Sequence, residues 1–307
     1  MNSAVDMSVK IGSLVLRNPV MNGSGTFGTA PYGEHVDFSR IGAVVAKSVT
    51  QNPRQGNPPP RITEVRSGVI NAVGIQNAGV REFIERKLPE MRNFDVPLIV
   101  SISNTMLDDF GRSVALLERA EGIAAYEINV SCPNLECGGR AFGMSPDDTR
   151  KVTESVRREV RSARPVIVKL TPNVTDIVEI AKAAADGGAD ALTVANTYIG
   201  MVVDLRTRRP VLGNTYGGVS GPAIKPLTMR HVFNVSRAVS LPVLASGGIC
   251  TAKDALEYLM AGATAVQVGS ANFSDPAIME RIVDGIASYL HTQEIASVSE
   301  FIGSIIA

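Results

Sequence analysis

The sequence predicts an α/β fold, a single (β/α)8 or TIM barrel over residues 1–307, on three observations. Eight short apolar runs recur along the chain, helical stretches separate them, and nearly every run ends in polar or glycine residues. The runs cover 20–24, 43–49, 98–103, 126–132, 165–171, 191–197, 242–248 and 265–271. They are continuous, not alternating, as parallel strands covered on both faces should be. Strand–helix alternation implies βα units with right-handed crossovers. Eight units in succession favour a closed barrel over a doubly wound open sheet, the alternative.

The first element, 9–16, reads as a β-hairpin turning at Gly12-Ser13 and plugging the barrel end away from the mouth. Helical spacing covers 80–91, 106–121, 146–162, 176–186, 227–239, 252–260 and 276–290. Ser145 before Pro146-Asp147-Asp148 gives a cap, a first-turn proline and two acids at the positive end of the dipole. Thr251 before Ala252-Lys253-Asp254 is a second cap, and Gly187-Gly188 and Gly262 stand where helices stop. Two connections exceed ordinary length: 50–95, with Asn57-Pro58-Pro59-Pro60, and 198–226. Both are expected as long loops at the C-terminal mouth.

Composition narrows the partners. The 307 residues are 45% hydrophobic, and 30 basic residues balance 30 acidic ones. That balance argues against a nucleic-acid footprint or a membrane surface and leaves a small molecule or another protein. Three cysteines are too few and too odd for a disulfide framework and point to the reducing cytoplasm. The three histidines are far apart, so no metal site is expected. Neither a signal peptide nor a run long enough to span a membrane is read.

The strand ends carry the chemistry. They are Gly23-Ser24-Gly25, Lys47-Ser48, Ser101 with Ser103, Asn129 with Ser131 and Cys132, Lys169 with Thr171, Asn196-Thr197, Ser246-Gly247-Gly248 and Gly269-Ser270. In a barrel these converge on one mouth. One lysine at an apolar strand end can snorkel to water or pair with a carboxylate. Two of them amid the asparagines of the same mouth point to a ligand. Gly247-Gly248 and Gly269-Ser270 follow strands seven and eight, where barrels hold phosphate on backbone amides. Tight turns are the other reading of these glycines. Cys132, fixed by Pro133, is a general base, a nucleophile or an inert buried thiol; the residue alone leaves these open. Cys137 and Cys250 read as inert.

Asn129-Val130-Ser131-Cys132-Pro133-Asn134, then Gly138-Gly139 and Ala141-Phe142-Gly143, resemble the active-site loop of class 1 dihydroorotate dehydrogenases. Ile70-Asn71-Ala72-Val73-Gly74-Ile75-Gln76-Asn77 resembles their substrate loop. Ala46-Lys47-Ser48, Val168-Lys169-Leu170-Thr171-Pro172-Asn173, Asn196-Thr197 and the 217–226 segment are similar too, and the likeness runs from about residue 8 to about residue 303. The wording of 70–77 and 220–226 favours subclass 1B, the NAD-linked kind.

The resemblance implies oxidation of dihydroorotate to orotate on FMN, one per chain, in pyrimidine biosynthesis. It makes Cys132 the base that takes the carbon-five proton while hydride leaves carbon six, with a loop at about 133–144 closing over the site. Lys47, Asn71, Ala72, Val73, Gly74, Ile75, Asn129, Asn196 and Thr197 would bind the substrate; amide side chains suit a ring edge that alternates donors and acceptors. Ser24, Lys47, Ser48, Ser101, Asn129, Lys169, Ala195, Gly221, Gly247, Gly248, Gly269 and Ser270 would bind FMN, the last four around its phosphate. Lys169 would stabilise negative charge at the pyrimidine end of the flavin. Three positions depart from the family: Ser101 stands for asparagine, Ser270 for threonine and Ala195 for a larger aliphatic.

Three cysteines cannot supply the four that a [2Fe–2S] cluster takes, and no dinucleotide fingerprint follows a strand. FAD and [2Fe–2S] are therefore expected on a partner subunit, with a homodimer of this chain inside a heterotetramer. The rivals are a fumarate-linked class 1A-like enzyme, a flavin barrel acting on another dihydropyrimidine, a phosphate-binding lyase or isomerase using Lys169 as a Schiff base, and a non-catalytic scaffold.

Overall fold

Eight parallel strands form the centre of the molecule. They are β1 (Val20–Asn22), β2 (Val44–Val45), β3 (Leu98–Ile102), β4 (Ala125–Asn129), β5 (Val166–Lys169), β6 (Ala191–Val194), β7 (Val243–Ser246) and β8 (Ala265–Val268). The computed structural model describes residues 5–27, 35–131 and 140–306. Every residue of β3 and of β5 to β8 is buried, which is why these runs are mainly apolar and do not alternate. The ladder runs β1-β8-β7-β6-β5-β4-β3-β2. A parallel bridge between Met21 and Ala43 joins its two ends, so the predicted (β/α)8 barrel is present. Across this seam the Asn22 side chain replaces a backbone rung. Its Oδ1 accepts from the Val45 N–H and its Nδ2 donates to the Val45 carbonyl, each at 2.8 Å.

Helices α1 (Leu107–Leu117), α2 (Pro146–Glu159), α3 (Ile177–Asp186), α4 (Lys225–Ala238), α5 (Ala252–Met260) and α6 (Ile278–Thr292) surround the strands. Ser145 and Thr251 cap α2 and α5, accepting from the N–H groups of Asp148 at 3.3 Å and Asp254 at 3.2 Å. The hairpin Val9–Ile11 and Leu14–Leu16 closes the lower end, with Ile11 and Leu16 fully buried. Its Gly12 presses so near the start of β5 that a Cβ would lie 3.2 Å from the Pro165 ring. Among the described residues no helix is long and apolar enough to cross a membrane.

The structure differs from expectation in several places, among them the helix expected over 106–121, which ends at Leu117. The second strand is shorter than 43–49 because the chain bulges at Lys47-Ser48: the Ala46 N–H bonds to Ile99 and the Val49 N–H to Ser101, both at 2.9 Å. The helix over 80–91 is interrupted by a π-helical turn, Phe83–Lys87. Helix α4 starts two residues before 227, led in by a 3-10 turn at Pro222–Ile224. The two long connections also carry structure that periodicity did not show. Tyr198–Gly200, Gly217–Ser220, Gly68–Asn71 and Ile62–Val65 pair in that order as a four-stranded antiparallel sheet. Ile70, Ala72 and Leu212 form a small core for it, separate from the main one.

Candidate functional site

The strand ends and the antiparallel sheet enclose a cavity of about 570 Å³. Its floor carries Ser24 after β1, Lys47 and Ser48 after β2, Asn129 of β4, Lys169 of β5, and Ala195 and Asn196 after β6. One side is formed by Gly247 and Gly248 after β7 and by Gly269 and Ser270 after β8. Asn71, Ala72, Val73, Gly74 and Ile75 also line it, as do Thr197 and Gly221. Of the described residues expected in the site, Ser101 alone is not part of this lining. It is fully buried behind Ser48, the two hydroxyls 2.8 Å apart. Cys132, Pro133, Asn134, Cys137, Gly138 and Gly139 lie outside the described residues.

Amides dominate one region. Asn129 Oδ1 accepts from the Ser131 N–H at 3.0 Å and from Asn196 Nδ2 at 3.2 Å. Asn196 Oδ1 accepts from the Thr197 N–H at 2.8 Å, and Asn71 Nδ2 donates to the Gly218 carbonyl at 3.3 Å. These bonds fix the side chains and leave part of each amide free for a ligand edge. The loop after Asn71 is tied to the 54–61 segment: the Asn57 N–H donates to Val73 at 3.1 Å and the Ala72 N–H to Arg61 at 2.7 Å. Gly74 sits at φ +75°, where a Cβ would lie 2.6 Å from the Asn57 nitrogen, so only glycine fits.

The two lysines differ. Lys47 is open to the cavity and has no hydrogen-bond or ion-pair partner among the described residues. The surrounding protein walls desolvate its ammonium and lower its pKa from the usual lysine range. Lys169 is buried; its Nζ donates to Gln267 Oε1 at 3.1 Å and lies 3.8 Å from Glu127 Oε1.

The glycine side is open. Apart from Gly269 and its two chain neighbours, no atom of the described residues lies within 4 Å of where a Cβ on Gly269 would stand. The backbone N–H groups of Gly248, Gly269 and Ser270 donate to no acceptor among the described residues. Beyond it, Lys225 pairs with Asp254 and, at 2.5 Å, with Glu257. Burial lowers the Lys225 pKa, but the two carboxylates outweigh it and the net shift is upward. Cys250 reaches the cavity wall, yet burial, then Asp254, push its thiol up, away from a reactive thiolate.

Some lining residues were not foreseen. Ile62, Ile199, Tyr216 and Phe273 stand exposed on the rim. Three of them come from the antiparallel sheet and its connection, whose short mixed strands carry no clear period. Glu127 and Gln267 were visible only as polar interruptions of apolar runs.

Residues 6–290 match the profile of the dihydroorotate dehydrogenase family. A protein of Geobacter sp. (strain M21) is 48% identical over 301 residues, 98% of each chain. One of Thermoanaerobacter pseudethanolicus is 46% identical over 302 residues, 98% of this chain and 99% of its own. A third, of Desulforudis audaxviator, is 49% identical over 301 residues, 98% and 97% of the two chains. All three bear the name dihydroorotate dehydrogenase B (NAD(+)), catalytic subunit. The matched span includes all eight strands of the barrel, and the chain belongs to the dihydroorotate dehydrogenase family.

Proposed function

We propose that this chain is the FMN-binding catalytic subunit of an NAD-linked dihydroorotate dehydrogenase, oxidising dihydroorotate to orotate in pyrimidine biosynthesis. The observation that carries the reading is the one cavity that Lys47, Asn71, Asn129, Lys169, Asn196 and Gly269 all line. Its residues suit a flavin mononucleotide. An open cradle at Gly269 with unused N–H groups suits a phosphate, and a buried lysine with donors to spare suits an electron-rich ring edge.

Bound FMN would supply the acceptor for the hydride leaving carbon six. The chain's residues do the rest. Gly247, Gly248, Gly269 and Ser270 would hold the phosphate; Ser24, Ser48, Ala195 and Gly221 would hold the flavin, and Ser101 supports Ser48 from behind. Lys169 would stabilise negative charge at the flavin's pyrimidine end. Lys47 would supply positive charge to flavin and substrate. Asn71, Asn129, Asn196 and Thr197 orient the pyrimidine, and 72–75 cover it. Cys132, next in sequence to the cavity-lining Ser131, takes the carbon-five proton on its sulfur.

FAD and a [2Fe–2S] cluster belong to a partner subunit, since three cysteines do not supply four ligands. The assembly is a homodimer of this chain within a heterotetramer, working in the cytoplasm. Family membership sets the lyase and scaffold readings aside.

The test is anaerobic. The purified chain is expected to be yellow and to bleach on adding dihydroorotate, and NAD reduction is expected only with the partner present. Cys132→Ala is expected to keep the colour and lose the bleaching. Full-rate bleaching in that variant would remove Cys132 from the mechanism. A chain that binds no FMN would overturn the flavin reading, and rapid reoxidation by fumarate would favour the class 1A-like alternative.

A further inference from the structure

Inside the barrel, just below the mouth, folds of this kind ordinarily stack branched aliphatic side chains. Here four polar ones meet: Glu127 of β4, Lys169 of β5, Thr193 of β6 and Gln267 of β8. Glu127, Thr193 and Gln267 have no solvent exposure, and Lys169 has 7%. Glu127 Oε2 accepts from Gln267 Nε2 at 2.6 Å and from Thr193 Oγ1 at 3.0 Å. The other oxygen, Oε1, has no hydrogen-bond partner and faces Lys169 Nζ across 3.8 Å. Gln267 thus bridges the pair, its amide nitrogen on the carboxylate and its amide oxygen on the ammonium.

A buried ion pair is a poor source of stability, and apolar residues of the same volume pack as well. Its geometry, however, has a directional result. An ammonium has three N–H donors. Gln267 takes one, and Glu127 stands too far away to take another, held there by Gln267 and Thr193.

We propose that Glu127 and Gln267 are positioning residues for Lys169: Gln267 engages one ammonium proton and leaves the others for the cavity, while the Glu127 carboxylate sets how much positive charge the cavity feels. The inference rests on the reading that Lys169 faces the flavin.

The two residues then act with opposite sign on one observable, the midpoint potential of bound FMN. Glu127→Gln removes the buried negative charge, so the electron-rich reduced flavin is favoured. The reduced-to-oxidised ratio at fixed potential should rise by about tenfold, a shift of about 30 mV for a two-electron couple. Gln267→Met keeps the volume and removes the bridge. Lys169 then closes on Glu127, its protons leave the cavity, and the ratio should fall several-fold. Thr193→Val removes one hydrogen bond but neither charge nor bridge and should stay within about twofold.

Equilibration against a reference dye reads the potential, and flavin fluorescence reads FMN affinity. Shifts of the same sign in Glu127→Gln and Gln267→Met, or no shift in either, overturn the proposal. Should Glu127→Gln not fold, Gln267→Met decides alone: an unchanged or raised ratio overturns it. Lys169→Met separates the two layers of argument. If it too leaves FMN affinity and potential unchanged, the flavin-facing reading of Lys169 falls. If it changes them while the other two do not, only this inference falls.

Discussion

Replacing Gly269 by alanine separates ligand space from protein space at the end of β8. The new methyl meets nothing within 4 Å among the described residues, and the backbone there is not left-handed. The ligand-free chain should therefore gain about 0.4–1 kcal/mol, because alanine restricts the unfolded chain and strains nothing. Bound FMN should suffer instead, since the methyl occupies the cradle proposed for the phosphate. Losing one hydrogen bond to a charged group is worth about 1.5–3 kcal/mol, or about 10- to 150-fold in Kd. Gly248→Ala is the contrast. Its φ is +68° and a Cβ would lie 2.7 Å from Lys225 Cβ, so the protein itself is strained. That left-handed position should cost about 1–3 kcal/mol even without ligand. Thermal unfolding of the ligand-free chain and a fluorescence titration with FMN measure the two quantities. Unchanged FMN affinity in a folded Gly269→Ala would refute the cradle, and a destabilised ligand-free Gly269→Ala would refute the statement that the space is open.

Lys47→Met should weaken FMN by about 10- to 100-fold through loss of one charge-assisted contact, yet stabilise the ligand-free chain at neutral pH. The Lys47 pKa is lowered in the fold, so its desolvation penalty is fully present below the folded value. The penalty fades as pH rises and is gone above the ordinary value of 10.5, so unfolding curves of the two proteins should converge there. Ser101→Ala should lower stability by about 0.5–1.5 kcal/mol and change FMN Kd by no more than a few-fold; a larger binding loss would put Ser101 on the ligand. At the barrel's lower end, Tyr126 donates to Glu118 Oε1 at 2.8 Å and accepts from Arg164 Nη1 at 2.9 Å. Tyr126→Phe should cost about 1–2 kcal/mol in unfolding and leave FMN affinity and bleaching unchanged, and a catalytic defect would contradict that separation.

The barrel was legible because burial on both faces writes a mainly apolar run without alternation, as in Val166–Lys169 and Ala265–Val268. The convergence of strand ends follows from topology alone, so the sequence already gathers Lys47, Asn129, Asn196 and Gly269 at one mouth. What was illegible is local. Ile62–Val65 and Gly217–Ser220 are strands because distant segments pair with them; Gly217-Gly218 has no strand preference of its own. The Lys47-Ser48 bulge leaves the apolar pattern intact while breaking the ladder. Glu127 and Gln267 sit inside runs read by their average hydrophobicity, which hides one charged residue among neighbours such as Ile128 and Val266. Ser101 followed the strand-end rule, but its hydroxyl turns behind Ser48 and not into the cavity. The role of Cys132 came from resemblance, since a lone thiol has no periodicity to read.

A ring of strands is free of edges only while its last joint holds. In this barrel that joint includes the amide of Asn22, which grips both the N–H and the carbonyl of Val45. Truncating it would orphan two buried backbone groups and leave the backbones of β1 and β2 joined only through Val20–Ala43, with the seam unpaired at its upper end. Ser24 and Lys47 stand directly above this joint. The shape of the mouth therefore depends on an asparagine that lines no part of it, and a substitution there would read as a cofactor-binding defect although no cofactor contact had been removed.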